Sequence, residues 1–169
     1  MSLILRQLVA EDLAQVMQIQ AACYPAQYLE AEHVFAERIK NCTTSSWLAL
    51  DGRQALGYLF SYPSQLGKIC RLGSVFAAQA QANCLYLHDM AVLPTAHGRG
   101  IARALHQHAL AYARQRHYAH SALVAVLDAA SFWQKLGYRG DYSLSQEQQE
   151  NLLSYGELAC YLSKNLSEM

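Results

Sequence analysis

The strongest pattern of apolar and polar positions lies in the middle of the chain. Residues 84–92 are mostly apolar and β-favouring, which predicts a buried strand, and Pro94 stops it. Gly98 and Gly100 flank Arg99. Ile101, Leu105, His108 and Tyr112 then fall at helical spacing, with Ala102, Ala109 and Ala113 beside them. The unit is strand, glycine loop, helix.

The flanking segments carry weaker patterns. Residues 3–8 alternate and predict an edge strand. Ala10, Glu11 and Asp12 start a helix whose apolar face is Leu13, Val16, Met17 and Gln20, and which ends before Pro25. Residues 24–30 read as a loop and 31–40 as a second helix. Strands are predicted over 45–50 and 55–61, joined by a hairpin turn at Asp51-Gly52, with Pro63 ending the second. Residues 62–83 are poorly periodic, and connections of that length are usually functional or mobile. Residues 121–127 predict a strand, Asp128 an N-cap, 129–136 a helix and Gly137 its C-cap. Residues 145–151 are polar, a loop or short helix, and 158–162 close the sheet. With no internal repeat and no linker, residues 1–169 read as one domain with a mixed α/β sheet flanked by helices.

Composition narrows the class. Apolar residues are 53% and charged residues 15%, and Lys plus Arg equals Asp plus Glu at 13 each. No basic footprint for nucleic acid exists, and no apolar run approaches the roughly 20 residues of a membrane span. Arg6 interrupts the N-terminal stretch, which therefore does not read as a signal peptide. The five cysteines are scattered without redox or metal spacing and read as reduced thiols of a cytoplasmic protein. His106 and His108 face different sides of a helix, and no Cys, Asp or Glu gathers near them, so no metal is expected.

The start of a helix offers unpaired N–H groups and the positive end of a dipole, and glycines let a phosphate approach them. Arg99 and Arg103 add charge at that end. The loop is thus a candidate pyrophosphate cradle, beside the plainer reading of a tight turn before a helix. It lacks the third glycine of a dinucleotide fingerprint and the Lys-Ser/Thr of a P-loop.

The stretch His97-Gly98-Arg99-Gly100-Ile101-Ala102 resembles the acyl-CoA loop of the GNAT N-acetyltransferases, usually Gln/Arg-x-x-Gly-x-Gly/Ala. Residues 129–138, Ala-Ala-Ser-Phe-Trp-Gln-Lys-Leu-Gly-Tyr, resemble that superfamily's second signature, Ala-x-x-Phe-Tyr-x-x-x-Gly-Phe. The resemblance spans about residues 3–165 and looks closest to the arylalkylamine and polyamine N-acetyltransferase branch. It implies a mostly antiparallel sheet with two splayed central strands and acetyl-CoA as co-substrate. It also implies that backbone groups of Met90, Ala91 and Val92 meet the pantetheine arm, while His97, Gly98, Arg99, Gly100, Ile101, Ala102 and Arg103 meet the pyrophosphate. The first two helices then wall the acceptor pocket, the 62–83 connection lies over it, and Tyr24, Tyr28 and Tyr86 become candidates to touch substrate. Ordinary packing is the other reading for these tyrosines.

Attack of an amine on a thioester requires a base, because an amine with a pKa near ~10.4 is neutral in only roughly one molecule in 10³ at pH 7. The central strand supplies His88 and Asp89, which simple alternation puts on opposite faces, with Tyr86, His88 and Met90 on one. His88 matches a strand histidine that serves the proton path in the resembled branch; a buried core histidine is the alternative. Asp89 is structural or pairs with a substrate amine. Two departures stand out. Trp133 replaces the tyrosine that often protonates the CoA thiolate, and an indole N–H cannot serve as an acid. The superfamily's usual asparagine is absent between Val124 and Trp133. Trp133 keeps a place at the cofactor, and the candidate acids are water or another tyrosine, such as Tyr138 or Tyr142. The expected activity is acetyl transfer to a small-molecule primary amine. A protein amine acetyltransferase and a non-catalytic acyl-CoA-binding module are the alternatives. No nucleic acid or membrane partner is expected, and a homodimer is left open.

Overall fold

The apolar runs assemble into one six-stranded sheet. It is seen in a computed structural model that describes residues 2–76 and 78–167. The elements are β1 (Leu3–Gln7), α1 (Leu13–Cys23), α2 (Glu32–Asn41), β2 (Trp47–Asp51), β3 (Gln54–Ser64), β4 (Cys84–Val92), α3 (Ile101–Gln115), β5 (His120–Ala125), α4 (Ala130–Lys135), α5 (Gln146–Leu153) and β6 (Cys160–Asn165). The strands lie in chain order, and every neighbouring pair is antiparallel except β4 and β5. That parallel pair needs a crossover, which α3 supplies.

The β4–β5 pairing is short. It runs only from Cys84–His120 to Leu87–Leu123. Beyond it, β4 stays with β3 and β5 stays with β6, so the two central strands part. The expected mixed sheet with splayed central strands is what the chain forms.

Each face of the sheet carries its own core. Val16, Ile19, Phe35 and Ile39 of α1 and α2 pack on Tyr58, Phe60 and Tyr62. On the other face Ile101, Leu105, Ala109 and Ala113 of α3 pack on Leu59, Leu85 and Leu87. The inward stripe of α3 also holds His106 and Leu110, whereas His108 is exposed against the Trp47 ring.

Several local expectations need correction. Pro63 does not end β3, which continues to Ser64. Its carbonyl accepts from Gln79 N–H, so the missing N–H lies on the side away from β4, where β2 pairing has already stopped at Leu59. Asp128 does not cap α4, whose N-cap is Ala129 without a side-chain bond. Of the two readings for residues 145–151 the short helix holds: α5 is capped by Ser145, whose hydroxyl accepts from Gln148 N–H.

The largest correction concerns β4. Phe60 pairs with Asp89 and Ser61 with Leu87, which leaves His88 as the extra residue of a β-bulge. The alternation therefore slips by one. Tyr86, His88, Asp89 and Ala91 all face α1 and α2, and Met90 moves to the α3 face with Leu85, Leu87 and Val92. His88 and Asp89 are on the same face.

Candidate active site

The parting of β4 and β5 opens a cavity of about 290 Å³. Leu87 to Val92 of β4 form one wall, and Leu123, Val124, Leu127 and Trp133 the other. Cys23, Tyr24, Tyr28, Glu30, Leu72 and Tyr155 close the end toward α1 and α2.

The β4 wall presents backbone groups in a fixed order. Leu93 N–H donates to Leu56 O at 2.8 Å, and antiparallel ladders alternate bonded and unbonded pairs. Ala91 therefore turns its polar backbone groups to β3, and a Cβ on Gly57 would meet Ala91 O at 2.8 Å. Met90 and Val92 turn theirs to the cavity. Met90 O accepts from the Tyr24 hydroxyl at 3.0 Å. Val92 O accepts from Cys23 Sγ at 3.2 Å and lies 2.9 Å from His97 Nε2. What this edge offers a ligand is the Met90 and Val92 N–H groups. Ala91 lines the cavity but has no backbone group to give, which corrects the expectation for it.

At the mouth, Gly98 and Gly100 have φ of 77° and 78°, left-handed values that favour glycine. A Cβ at either would meet nothing within 4 Å, so the space above the loop is open. The first helical bond of α3 is Ala104 N–H to Gly100 O, which leaves the amides of Ile101, Ala102 and Arg103 ahead of it. The Ile101 side chain is core, at 1% exposure, so only its backbone can serve a ligand. Arg103 is exposed on the first turn, and Arg99 reaches back to Asp51 at 2.8 Å. This part of the site has the shape and charge of an anion cradle.

At the inner end lies a buried polar network. Arg38 grips Glu30 through both guanidinium nitrogens, at 2.8 and 2.5 Å. Glu30 also accepts from Gly73 N–H at 2.7 Å, and its Oε1 lies 3.4 Å from His88 Nε2. His88 Nδ1 is 3.5 Å from the Tyr155 hydroxyl, which donates to Cys70 O. Burial alone would raise the Glu30 carboxyl; the Arg38 fork and His88 outweigh it and hold it ionised, well below the ordinary value. Burial, then the charge of Arg38, depresses His88 below 6.5 against the pull of Glu30. The histidine is thus neutral at pH 7, the state a base requires.

Asp89 is held by Tyr24 at 2.7 Å on one oxygen and by Tyr58 at 2.8 Å on the other. Burial raises its pKa, and the nearby His88 and the two tyrosine bonds only partly offset this.

The tyrosines fall differently from expectation. Tyr86 is 1% exposed, packs against Tyr62 and does not line the cavity, so the bulged strand keeps it in the core. Tyr24 and Tyr28 do line it, each with a bonded hydroxyl, Tyr28 donating to Tyr155 O at 3.3 Å. Trp133 lies against the cavity wall. Tyr138 is buried behind it, bonded to Ser121 at 2.8 Å and His106 at 3.1 Å, and burial raises its pKa. Tyr142 sits on Tyr161 outside the cavity. Neither replaces the missing acid.

Sequence reasoning passed over Glu30, Arg38, Cys23 and Tyr155. A charged pair on a loop and a helix carries no mark of burial, and Tyr155 sits in a turn far along the chain. Of the connection after β3, Leu72 lines the inner end, and the N–H groups of Gly67, Ile69 and Leu72 donate to Tyr161, Gln148 and Ser154. Among the described residues no group of three His, Cys, Asp or Glu is placed to hold a metal, and no helix is long and apolar enough to cross a membrane.

The model of the acetyltransferase (GNAT) family matches residues 13–138. The chain belongs to the GNAT family of acetyltransferases and is an acyltransferase that uses an acyl-CoA. No curated protein matches it by sequence. Among solved structures it is similar to the loading GNATL domain of CurA from Lyngbya majuscula, at TM-score 0.80 and 13% identity over 100% of both chains. It is also similar to the GphF GNAT-like decarboxylase in complex with isobutyryl-CoA, at TM-score 0.74 and 14% identity over 96% of this chain and 99% of that one. A third is the PaiA N-acetyltransferase from Thermoplasma acidophilum in complex with coenzyme A, at TM-score 0.72 and 14% identity over 98% and 99%. At these identities the likeness is one of fold.

Proposed function

We propose that the chain transfers an acetyl group from acetyl-CoA to the primary amine of a small molecule, of arylalkylamine or polyamine type, by direct attack. The observation that carries this reading is the bulge at His88, which brings Asp89 onto the face of that neutral buried histidine, at the end of the cleft where an acceptor would meet the thioester. The pyrophosphate rests on the loop from His97 to Arg103, and the pantetheine arm pairs with Met90 and Val92 N–H, as an added strand would. Trp133 flanks the thioester, and Tyr24 and Tyr28 border the acceptor.

His88 takes the proton of the attacking amine, directly or through one water, and the Glu30 carboxylate stabilises the imidazolium that forms. A small acceptor fits better than a peptide, because the Tyr28–Tyr155 bond and Leu72 close the inner end of the cavity. An extended peptide needs an open groove. We place the enzyme in the cytoplasm, with no nucleic acid or membrane partner.

The test is release of CoA thiol from acetyl-CoA over a panel of amines and a panel of peptides. Turnover on a small amine and little on peptides is expected. Peptide turnover alone would move the acceptor to a protein amine. Tight CoA binding without turnover would favour the binding module that Trp133 keeps open. Consumption of acyl-CoA that needs no added acceptor would point to chemistry such as the GphF neighbour's name describes.

A further inference from the structure

Hydrogen counting around Tyr24 exposes a missing proton. Its hydroxyl has one hydrogen but lies within bonding distance of two acceptors, Asp89 Oδ1 at 2.7 Å and Met90 O at 3.0 Å. If Asp89 were ionised, one of these part-buried contacts would lack a hydrogen. A proton on Asp89 Oδ1 completes the set. Asp89 then donates to Tyr24, Tyr24 donates to Met90 O, and Tyr58 donates to Asp89 Oδ2.

We propose that Asp89 is a carboxylic acid at neutral pH and that, through Tyr24, it supplies the proton taken by the departing CoA thiolate. The proposal rests on the acyl-transfer reading above. Three tyrosines line the cavity. Tyr155 spends its hydrogen on Cys70 O and Tyr28 on Tyr155 O. Tyr155 has His88 Nδ1 at 3.5 Å behind it, a long contact, whereas Tyr24 has the Asp89 carboxyl at 2.7 Å. Its oxygen sits beside Met90, on the cleft edge assigned to the pantetheine arm.

The surroundings favour the neutral acid. Asp89 faces Cys23 at the end of α1 and Tyr24 just past it, Tyr58 from β3, Glu30 from the α1–α2 loop, and His88 on its own strand, with Arg38 farther off on α2. Burial raises the carboxyl and Glu30 adds to this, while Arg38 is already committed to Glu30. Burial also raises the phenol of Tyr24, so alone it would be a poor acid. Coupled to Asp89 it passes a proton on without ever carrying charge.

The step balances. As the C–S bond breaks, the thiolate takes the Tyr24 proton and Tyr24 takes the Asp89 proton, leaving thiol, phenol and carboxylate. His88 has meanwhile gained the amine's proton. The neighbouring residues end one proton up and one down, and transfer from His88 to Asp89 restores both. Asp89 acts through Tyr24 and is a positioning residue in this sense.

Infrared difference spectroscopy of the wild type against Asp89→Asn at pH 7 reads the carboxyl directly. Glu30 is held ionised there, and the difference spectrum isolates residue 89, so a protonated-carboxyl C=O band lost in Asp89→Asn is expected; no such band overturns the proposal. Asparagine keeps a donor toward Tyr24 and an acceptor toward Tyr58, so the variant folds. On the best amine, Tyr24→Phe and Asp89→Asn should each lower kcat on the order of 10²-fold, with KM for acetyl-CoA little changed. The double variant should lose little more, because both act on one proton. Near-normal kcat in Tyr24→Phe overturns the relay even if the band is present. A band in a wild type that acetylates no amine overturns the acyl-transfer reading and the relay with it, while the neutral carboxyl stands.

Discussion

Arg38 and Glu30 form a two-pronged ion pair in the protein interior, with side chains 0% and 4% exposed. The pair is a staple. Arg38 also donates to Ser74 O through Nε at 3.2 Å and Nη2 at 2.7 Å, and Glu30 accepts from Gly73. One ion pair therefore ties α2, the α1–α2 loop and the covering segment together beside His88.

Removing one partner strands a buried charge. Arg38→Met should cost about 3–5 kcal/mol in urea unfolding, and adding Glu30→Leu should recover much of it. The pH dependence has a definite sign. Glu30 is depressed in the fold, so its contribution is present above the ordinary 4.5 and is lost as pH falls toward the lower folded value. Acid should weaken the wild type below pH 4.5 more steeply than the double variant.

At the cradle, Gly100→Asp adds a negative charge above the amides that start α3. The Cβ itself has room, so the cost to the free protein is that of a left-handed aspartate, about 1 kcal/mol. Calorimetry should show CoA affinity falling at least tenfold in a folded variant. Unchanged affinity would remove the pyrophosphate from this loop.

Leu127 borders the cavity at φ 54°, and a bulky residue there is strained. Asparagine tolerates this conformation. Leu127→Asn should raise stability by about 1 kcal/mol, read from the urea midpoint. No gain would mean that leucine packing at this wall outweighs the backbone cost.

These sites mark where the sequence was legible. The strand, glycine loop and helix around His97 to Arg103 could be read directly, because a glycine turn and a helix start depend on neighbouring residues alone. The splay of β4 and β5 followed from the family resemblance. The bulge could not be read, since it exists only in the register between β3 and β4; simple alternation therefore separated His88 from Asp89 and put Met90 on the wrong face. Arg38 was invisible because its helical position reads as a solvated one until Glu30 arrives from the loop. Tyr86 looked available only because a strand pattern does not tell which side chains reach a cavity.

The central claim is that His88 takes the acceptor's proton. The most direct test is the pH dependence of kcat/KM on the best amine, corrected for the amine's own ionisation, for the wild type and His88→Ala. The wild-type profile should rise with pH through a midpoint below 6.5, because burial and Arg38 depress His88, and should fall again at alkaline pH as Asp89 loses the proton it relays. His88→Ala should lose on the order of 10²–10⁴-fold in turnover and lack that rise, with CoA affinity unchanged. A folded His88→Ala enzyme with near-normal turnover and the same profile would contradict the account and leave His88 a core histidine.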